Sequence, residues 1–225
     1  MITQEGRTSS QQNLDAEQRL VDRLHQFDLW AATADRSDAG WESDFPQWKE
    51  LIQAAEQIMA QGYQSERALV LLGRCWALSE EGEECADWAR ERIQDNRIRE
   101  IVRRLTSSAD SDARWQAYDV LGGLLAFDHK VQPVLEAGMA DANSYVRRRA
   151  FLPLLRRFND DAVPYLLRML ADDDSYNRYV AVKEGRRRNI RALQSQMDAA
   201  AQDPEVASQL DHYETHKQLI DQFDL

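Results

Sequence analysis

Apolar residues along this chain recur at helical spacing, and no stretch of useful length alternates in the manner of a strand. Leu20, Val21, Leu24, Phe27 and Leu29 form one amphipathic segment, followed by a loop containing Asp38, Gly40 and Pro46. Trp48, Leu51, Ile52, Ala55, Ile58 and Met59 repeat the i, i+3, i+4, i+7 pattern of a helix face. Gly62 is placed to stop that helix and Ser65 to cap the next, which runs from Ala68 to Leu78 and is apolar over most of its surface. The acidic run Glu80, Glu81, Glu83, Glu84 suits the start of a further helix carrying Trp88 and Ile93.

From about residue 97 the pattern becomes periodic. DSDARWQA (110–117), NSYVRRRA (143–150) and DSYNRYVA (174–181) align without gaps as Asp/Asn-Ser-x-x-Arg-x-x-Ala. Arg114, Arg147 and Arg178 lie at their centres, 33 and 31 residues apart. Pro133 and Pro164 each stand 14 positions before their arginine, ahead of Val134, Leu135, Met139 and of Tyr165, Leu166, Leu167, Met169, Leu170. Ile98, Ile101, Val102 and Leu105 fill the same role in the first repeat. A period of this length containing two amphipathic stretches predicts an all-α fold, an α-solenoid of stacked antiparallel helical hairpins. Proline fits a first helical turn, where its missing N–H had no partner. Asp or Asn is the N-cap of each second helix, and Ala117, Ala150 and Ala181 are small where paired helices approach. An arginine inside such a helix can reach a turn's carboxylate or carbonyls and tie one repeat to the next.

The unit of helix, Asp-rich turn, x-Val-Arg-x-x-Ala and second helix resembles the HEAT repeat, especially the bacterial variety related to phycobilisome-lyase repeats. Val146-Arg147-Arg148-Arg149-Ala150 carries the resemblance best. It covers about 97–190 as three repeats. Around it, residues 1–13 read as a disordered N-terminus, 14–96 as a helical region of diverged repeats or a cap, and 191–225 as a C-terminal helical cap. Gly122, Gly123, Pro153 and Gly185 are expected to interrupt or kink the second helices that contain them.

Composition agrees with long helices and short connections: Gly 9 and Pro 5 are few for 225 residues. No segment has the ~18 apolar residues that span a bilayer, and the polar start MITQEGRTSSQQN lacks the features of a secretory signal, so a cytoplasmic location is expected. Cys75 and Cys85 are too few for a disulfide framework and read as buried free thiols. The net charge of -11 is uneven: residues 1–95 carry -10, 96–195 carry +5 and 196–225 carry -6. An acidic frame around a basic middle can mark a binding surface.

Neither a catalytic constellation nor a metal site emerges, and no cofactor is implied. His212 and His216 stand i, i+4 in HYETH, but Glu214 lies off their face, unlike the zinc-protease pattern. Asp160-Asp161 and Asp172-Asp173-Asp174 fall where helix starts want negative charge. The sharpest candidates are basic. Arg147, Arg148, Arg149, Arg156 and Arg157 occupy one second helix, and Lys183, Arg186, Arg187, Arg188 and Arg191 the corresponding region of the next. Tyr145, Tyr176 and Tyr179 lie beside them. The HEAT resemblance implies that second helices line a concave face, where such a ridge binds phosphates or an acidic protein, unless its arginines bridge repeats internally. Three functions are open: a protein-binding scaffold or adaptor, including an inhibitor or immunity-type protein; a nucleic-acid or repair protein resembling HEAT-like alkylpurine DNA glycosylases, disfavoured by the net charge; and a bilin lyase or chaperone, which rests on repeat type alone.

Overall fold

A computed structural model describes the backbone of residues 9–37, 40–62, 65–79 and 81–223. Among these residues there are helices, short 3₁₀ turns and connections, with no strand. No described helix is long and apolar enough to cross a membrane. The chain divides into two compact units, Met1–Val134 and Leu135–Leu225. This is the all-α, hairpin-stacked class of an α-solenoid that the repeat period predicts.

In the first unit, α1 (Ser9–Ala31) packs on α2 (Trp48–Gln61) and α3 (Glu66–Leu78). Residues 9–13, expected to be disordered, are helical: the polar start of α1 is continuous with its amphipathic part, and Gln11 Nε2 donates to Asp15 Oδ1 at 3.0 Å one turn on. Residues 1–8 lie outside the described residues. Phe27, Trp30, Trp41 and Phe45 cluster beneath the α1–α2 connection, with Trp30 and Trp41 stacked at 5.5 Å between centroids. Gly62 ends α2 at φ 67°, its N–H returning to Ile58 and Met59 carbonyls, and the Cβ of any other residue would lie 2.9 Å from Arg97 Cβ. Ser65 Oγ accepts from Ala68 N at 3.0 Å and caps α3. The helices α4 (Glu84–Arg92), α5 (Asn96–Leu105) and α6 (Ser111–Gly122) complete the unit, α6 packing on α3, α4 and α5. Cys75 and Cys85 are buried free thiols, Sγ to Sγ 3.9 Å, and this contact, with burial, pushes the Cys75 thiol up.

The second unit contains α8 (Ser144–Phe158), α9 (Val163–Leu170), α10 (Ser175–Arg187), α11 (Gln194–Ala200) and α12 (Pro204–Phe223); α7 (Gln132–Gly138) spans the division. α10 is central, packing on α8, α9, α11 and α12. Pro133 and Pro164 lie in the first turns of α7 and α9. Each second helix begins on its expected cap: Asp110 accepts from Asp112 N, Asn143 from Tyr145 and Val146 N, and Asp174 from Asn177 N.

Of the expected interruptions, that at Gly122 and Gly123 is present, α6 ending at Gly122, whereas Pro153 and Gly185 do not end their helices, α8 running through the one and α10 through the other. Gly185 is there for closeness, since an added Cβ would stand 2.5 Å from Met197 Sδ of α11. The α11–α12 pair, read from sequence as a cap, keeps the repeat register: Asp203 Oδ1 accepts from Glu205 and Val206 N, as the other caps do. Val206 is fully buried at the position of Ala113 and Val146. Ala207 stands where the signature arginine would be.

Candidate functional site

The signature arginines share one geometry. Arg114 Nη1 donates to the carbonyls of Ser108 and Ala109, Arg147 Nη1 to those of Asp141 and Ala142, and Arg178 Nη1 to those of Asp172 and Asp173, all between 2.9 and 3.2 Å. Each therefore closes the turn that precedes its own helix. Arg147 also reaches the next turn with a two-pronged pair on Asp172, Nε to Oδ2 at 2.8 Å and Nη2 to Oδ1 at 2.6 Å, and meets Asp173 as well. Arg178 repeats the reach to Asp203 at 2.6 Å. The Arg147 side chain is 12% exposed and that of Asp172 6%. Burial works to raise the Asp172 carboxyl, but the hydrogen bonds from Arg147 and from the Asp174 N–H hold it below its ordinary value. Arg147 is thus an internal tie between repeats.

Arg148, the next residue, faces elsewhere, because successive residues of a helix point about 100° apart. Its guanidinium carbon lies 4.7 Å from the centroid of Tyr145 and 4.4 Å from that of Tyr176, and Nη1 donates to Asn177 Oδ1 at 3.2 Å. Asn177 is fully buried, and its Nδ2 donates to the Ser144 carbonyl at 2.9 Å, joining α10 to the first turn of α8. Burial pulls the Arg148 guanidinium below its ordinary value, and the Tyr176 and Tyr145 rings oppose this. No carboxylate pairs with it among the described residues.

Lys183 continues the row. Its Nζ is 4.4 Å from the centroid of Tyr213 on α12 and 5.7 Å from that of Tyr179, and Tyr179 is 5.3 Å from Tyr176. Tyr145 and Tyr176 are 38% and 46% exposed, whereas Tyr179 is buried. Arg149 approaches Tyr145 at 5.8 Å. Tyr145, Arg148, Arg149, Tyr176, Tyr179 and Lys183 are therefore brought together on the α8–α10 surface, with Tyr213 added from α12.

The other basic candidates lie apart. Arg156 and Arg157 are exposed in the last turn of α8, Arg157 6.0 Å from the Phe158 ring. Arg187 pairs with Glu184 at 2.6 Å, Arg188 approaches the same carboxylate at 3.7 Å, and Arg186 meets Asp198 at 3.3 Å. Arg191 is exposed in a 3₁₀ turn. Among the described residues no three His, Cys, Asp or Glu side chains are arranged to hold a metal. A groove of the first unit, about 450 Å³, is lined by Glu66, Leu69, Val70, Arg74, Arg104 and Asp110; Arg104 pairs with Glu66, Arg74 with Asp28, and Asp110 caps α6.

Residues 98–185 match the family model for HEAT repeats. The HEAT match spans α5 to α10 and so contains the three signature arginines together with Arg148, Asn177 and Lys183. No curated protein and no solved structure matches the chain.

Sequence reasoning singled out the tyrosines and the basic residues but missed Asn177 and Tyr213. The signal for Asn177 was present. It stands one residue before the signature arginine, where the other repeats place Ala113 and Val146, so a polar group occupies a core position. Tyr213 carries no such mark, being one aromatic residue on an amphipathic helix.

Proposed function

We propose that the chain is a non-catalytic scaffold that binds a partner protein, and that the α8–α10–α12 surface of residues 135–225 receives an acidic part of that partner. The observation that carries this reading is the state of Arg148 and Lys183: both are held by tyrosine rings and neither meets a carboxylate among the described residues. Cations placed on aromatic faces keep their charge available while losing little side-chain freedom on binding. α8 adds to the field through Arg149, Arg156 and Arg157 and contains no acidic residue, Arg147 being tied to Asp172. The match to HEAT repeats supports a stacked helical scaffold, an architecture whose long surface suits partner binding.

The acidic residues of the turns have structural employment, which favours a binding role over a catalytic one. Asp110 and Asp174 cap helices, and Asp172 caps its own turn and pairs with Arg147. The phycobilisome-lyase and DNA-glycosylase resemblances gain no support of their own from this arrangement. Several cations that a nucleic-acid surface would use, Arg147, Arg178 and Arg187 among them, are already paired with carboxylates of the chain.

A tagged capture from the native host tests the proposal, performed at low and high salt and with and without nuclease. The expected result is a stoichiometric protein that survives nuclease, is lost from the double variant Arg148→Glu/Lys183→Glu and is retained by Arg156→Glu/Arg157→Glu. Recovery that vanishes with nuclease, or that ignores both pairs of substitutions, refutes it.

A further inference from the structure

We infer that Arg148 is a prepositioned carboxylate receptor, and that with Lys183 it reads an extended acidic peptide segment bearing two carboxylates on one face; this rests on the scaffold reading above. Arg148 spends one N–H on Asn177 and carries its guanidinium over two rings. The hydrogens of Nε and Nη2 meet no acceptor among the described residues. Those two groups form the edge that grips a carboxylate with two parallel hydrogen bonds. The rings and Asn177 restrict the motion that an exposed arginine must otherwise give up on binding.

Asn177 supplies independent support. A buried amide in a core position is costly unless its hydrogen-bonding groups are used. Here Nδ2 is satisfied by the Ser144 carbonyl and Oδ1 accepts from Arg148, so the amide couples the backbone of α8 to the guanidinium. The other repeats fill this position with Ala113 and Val146, both buried, and have no such coupling to make. Asn177 is a positioning residue.

Geometry sets the ligand. Steps of 4.4 Å from Arg148 to Tyr176, 5.3 Å to Tyr179 and 5.7 Å to Lys183 bound the separation of the two cations at about 15 Å. An extended peptide advances ~3.3 Å per residue, with alternate side chains on one face. Acidic residues on one face within that bound, at i and i+2 (~7 Å) or i and i+4 (~13 Å), can therefore meet both cations, whereas adjacent acids point to opposite faces. A continuous polyanion fits less well. Residues 135–225 carry 13 basic and 15 acidic side chains, and Asp172, Asp173 and Asp174 lie in the turn from which α10 starts. Nucleic acid presents phosphates in an unbroken row and would meet these acids, whereas a peptide can place its charges at two points.

The test uses fluorescein-labelled Gly/Ser peptides containing two glutamates at i and i+4, two adjacent glutamates, or one glutamate, together with a single-stranded oligonucleotide. Binding to the full chain is read by anisotropy at low salt and by the side-chain Nε–H resonances of Arg148 and Arg156. The i, i+4 peptide is expected to bind at least about fivefold tighter than the others and to shift the Arg148 resonance but not that of Arg156. Arg148→Gln should weaken it about tenfold or more, the worth of a charge-assisted pair, and Arg156→Gln by less than about twofold. Asn177→Val, which restores the residue type of the preceding repeat, should weaken it several-fold while broadening or moving the free Arg148 resonance. Equal binding by parent and Arg148→Gln, tighter binding of the oligonucleotide, or no binding of any peptide at millimolar concentration overturns the inference. If the captured partner survives Arg148→Gln but not Arg148→Glu/Lys183→Glu, the scaffold reading stands and only the receptor role of Arg148 fails.

Discussion

Replacing Arg147 with methionine removes the tie between two repeats while keeping most of the apolar volume of the side chain. The partner left behind decides the magnitude. Asp172 is 6% exposed and loses both prongs of its ion pair, keeping the backbone N–H of Asp174 at 2.9 Å. The carbonyls of Asp141 and Ala142 lose a donor at the same time. Removing one member of a buried pair costs about 3–5 kcal/mol. The remaining bond to Asp172, and the open side of the site at exposed Asp173, place this case near 3 kcal/mol at the lower end of that range. For a chain of this length each kcal/mol lowers the melting temperature by roughly 2–4 °C, so Arg147→Met should melt about 6–12 °C below the parent. Arg156→Met, at an exposed position, should change stability by less than about 0.5 kcal/mol. Circular dichroism melts and urea titrations of both variants measure this directly. Adding Asp172→Asn to Arg147→Met removes the stranded charge, so the double variant should be more stable than the sum of the two single losses implies, by a coupling of about 1–3 kcal/mol. The reasoning is refuted if Arg147→Met melts within about 1 °C of the parent, or if the two substitutions are additive.

Acid should weaken the fold through the same turns. Asp172 and Asp203 are held below the ordinary carboxylate value, Asp203 mainly by Arg178, and Asp95 is lowered to about 2 by Arg97. A depressed carboxyl contributes stability that is complete above its unfolded value near 4 and is lost as pH falls through the folded value. Burial raises Asp112 and Glu56, whose effect has the opposite sign, so these two partly offset the loss. The urea midpoint should hold between pH 7 and about pH 5 and fall steadily from about pH 4 to pH 2; a midpoint unchanged down to pH 3 contradicts the assignment. Gly185→Ala should gain ~1 kcal/mol of helix propensity and lose about 1–3 kcal/mol to the contact with Met197, for a net loss of roughly 1 kcal/mol. In a Met197→Ala background the same substitution should become stabilising, and a gain in the parent as well would show that the helices are not in tight contact there.

The parts of this fold legible in the sequence are those whose physics is local. A cap needs an Asp, Asn or Ser at one position, and Ser65, Asp110, Asn143 and Asp174 all cap the helices they precede. Gly62 ends its helix with positive φ, which glycine adopts without a Cβ penalty. Gly185 shows that glycine has two uses: local propensity says that it breaks a helix, while its role here is set by Met197 on another helix. Pro153 likewise sits inside α8 between Phe151 and Leu154, both buried, so tertiary packing holds a helix that propensity would divide. The α11–α12 pair reads from sequence as a helical cap and not as a repeat because Ala207 replaces the signature arginine. Its register survives in the cap Asp203 and the buried Val206, neither of which is distinctive without the turn geometry.

The same limit governs the candidate site. Arg147 and Arg148 are adjacent and chemically identical, and a count of positive charges cannot separate them. Their difference comes from the helix, which turns one toward the Asp172 carboxylate and the other toward the rings of Tyr145 and Tyr176. The 33- and 31-residue spacing picks out Arg114, Arg147 and Arg178 because the turn they close recurs, and for that reason periodicity marks the arginines engaged in holding repeats together. A cation free to receive a ligand is under no such constraint. Where the signature position plus one reads Trp115, Arg148 and Tyr179, the residue changes from repeat to repeat, as does the neighbouring Ala113, Val146 and Asn177. If the proposed surface binds as argued, the departures from the repeat at core-facing and ring-lined positions mark it more directly than the motif does. Asn177 and Arg148, which belong to different repeats and meet in space, are the departure that this surface is built around.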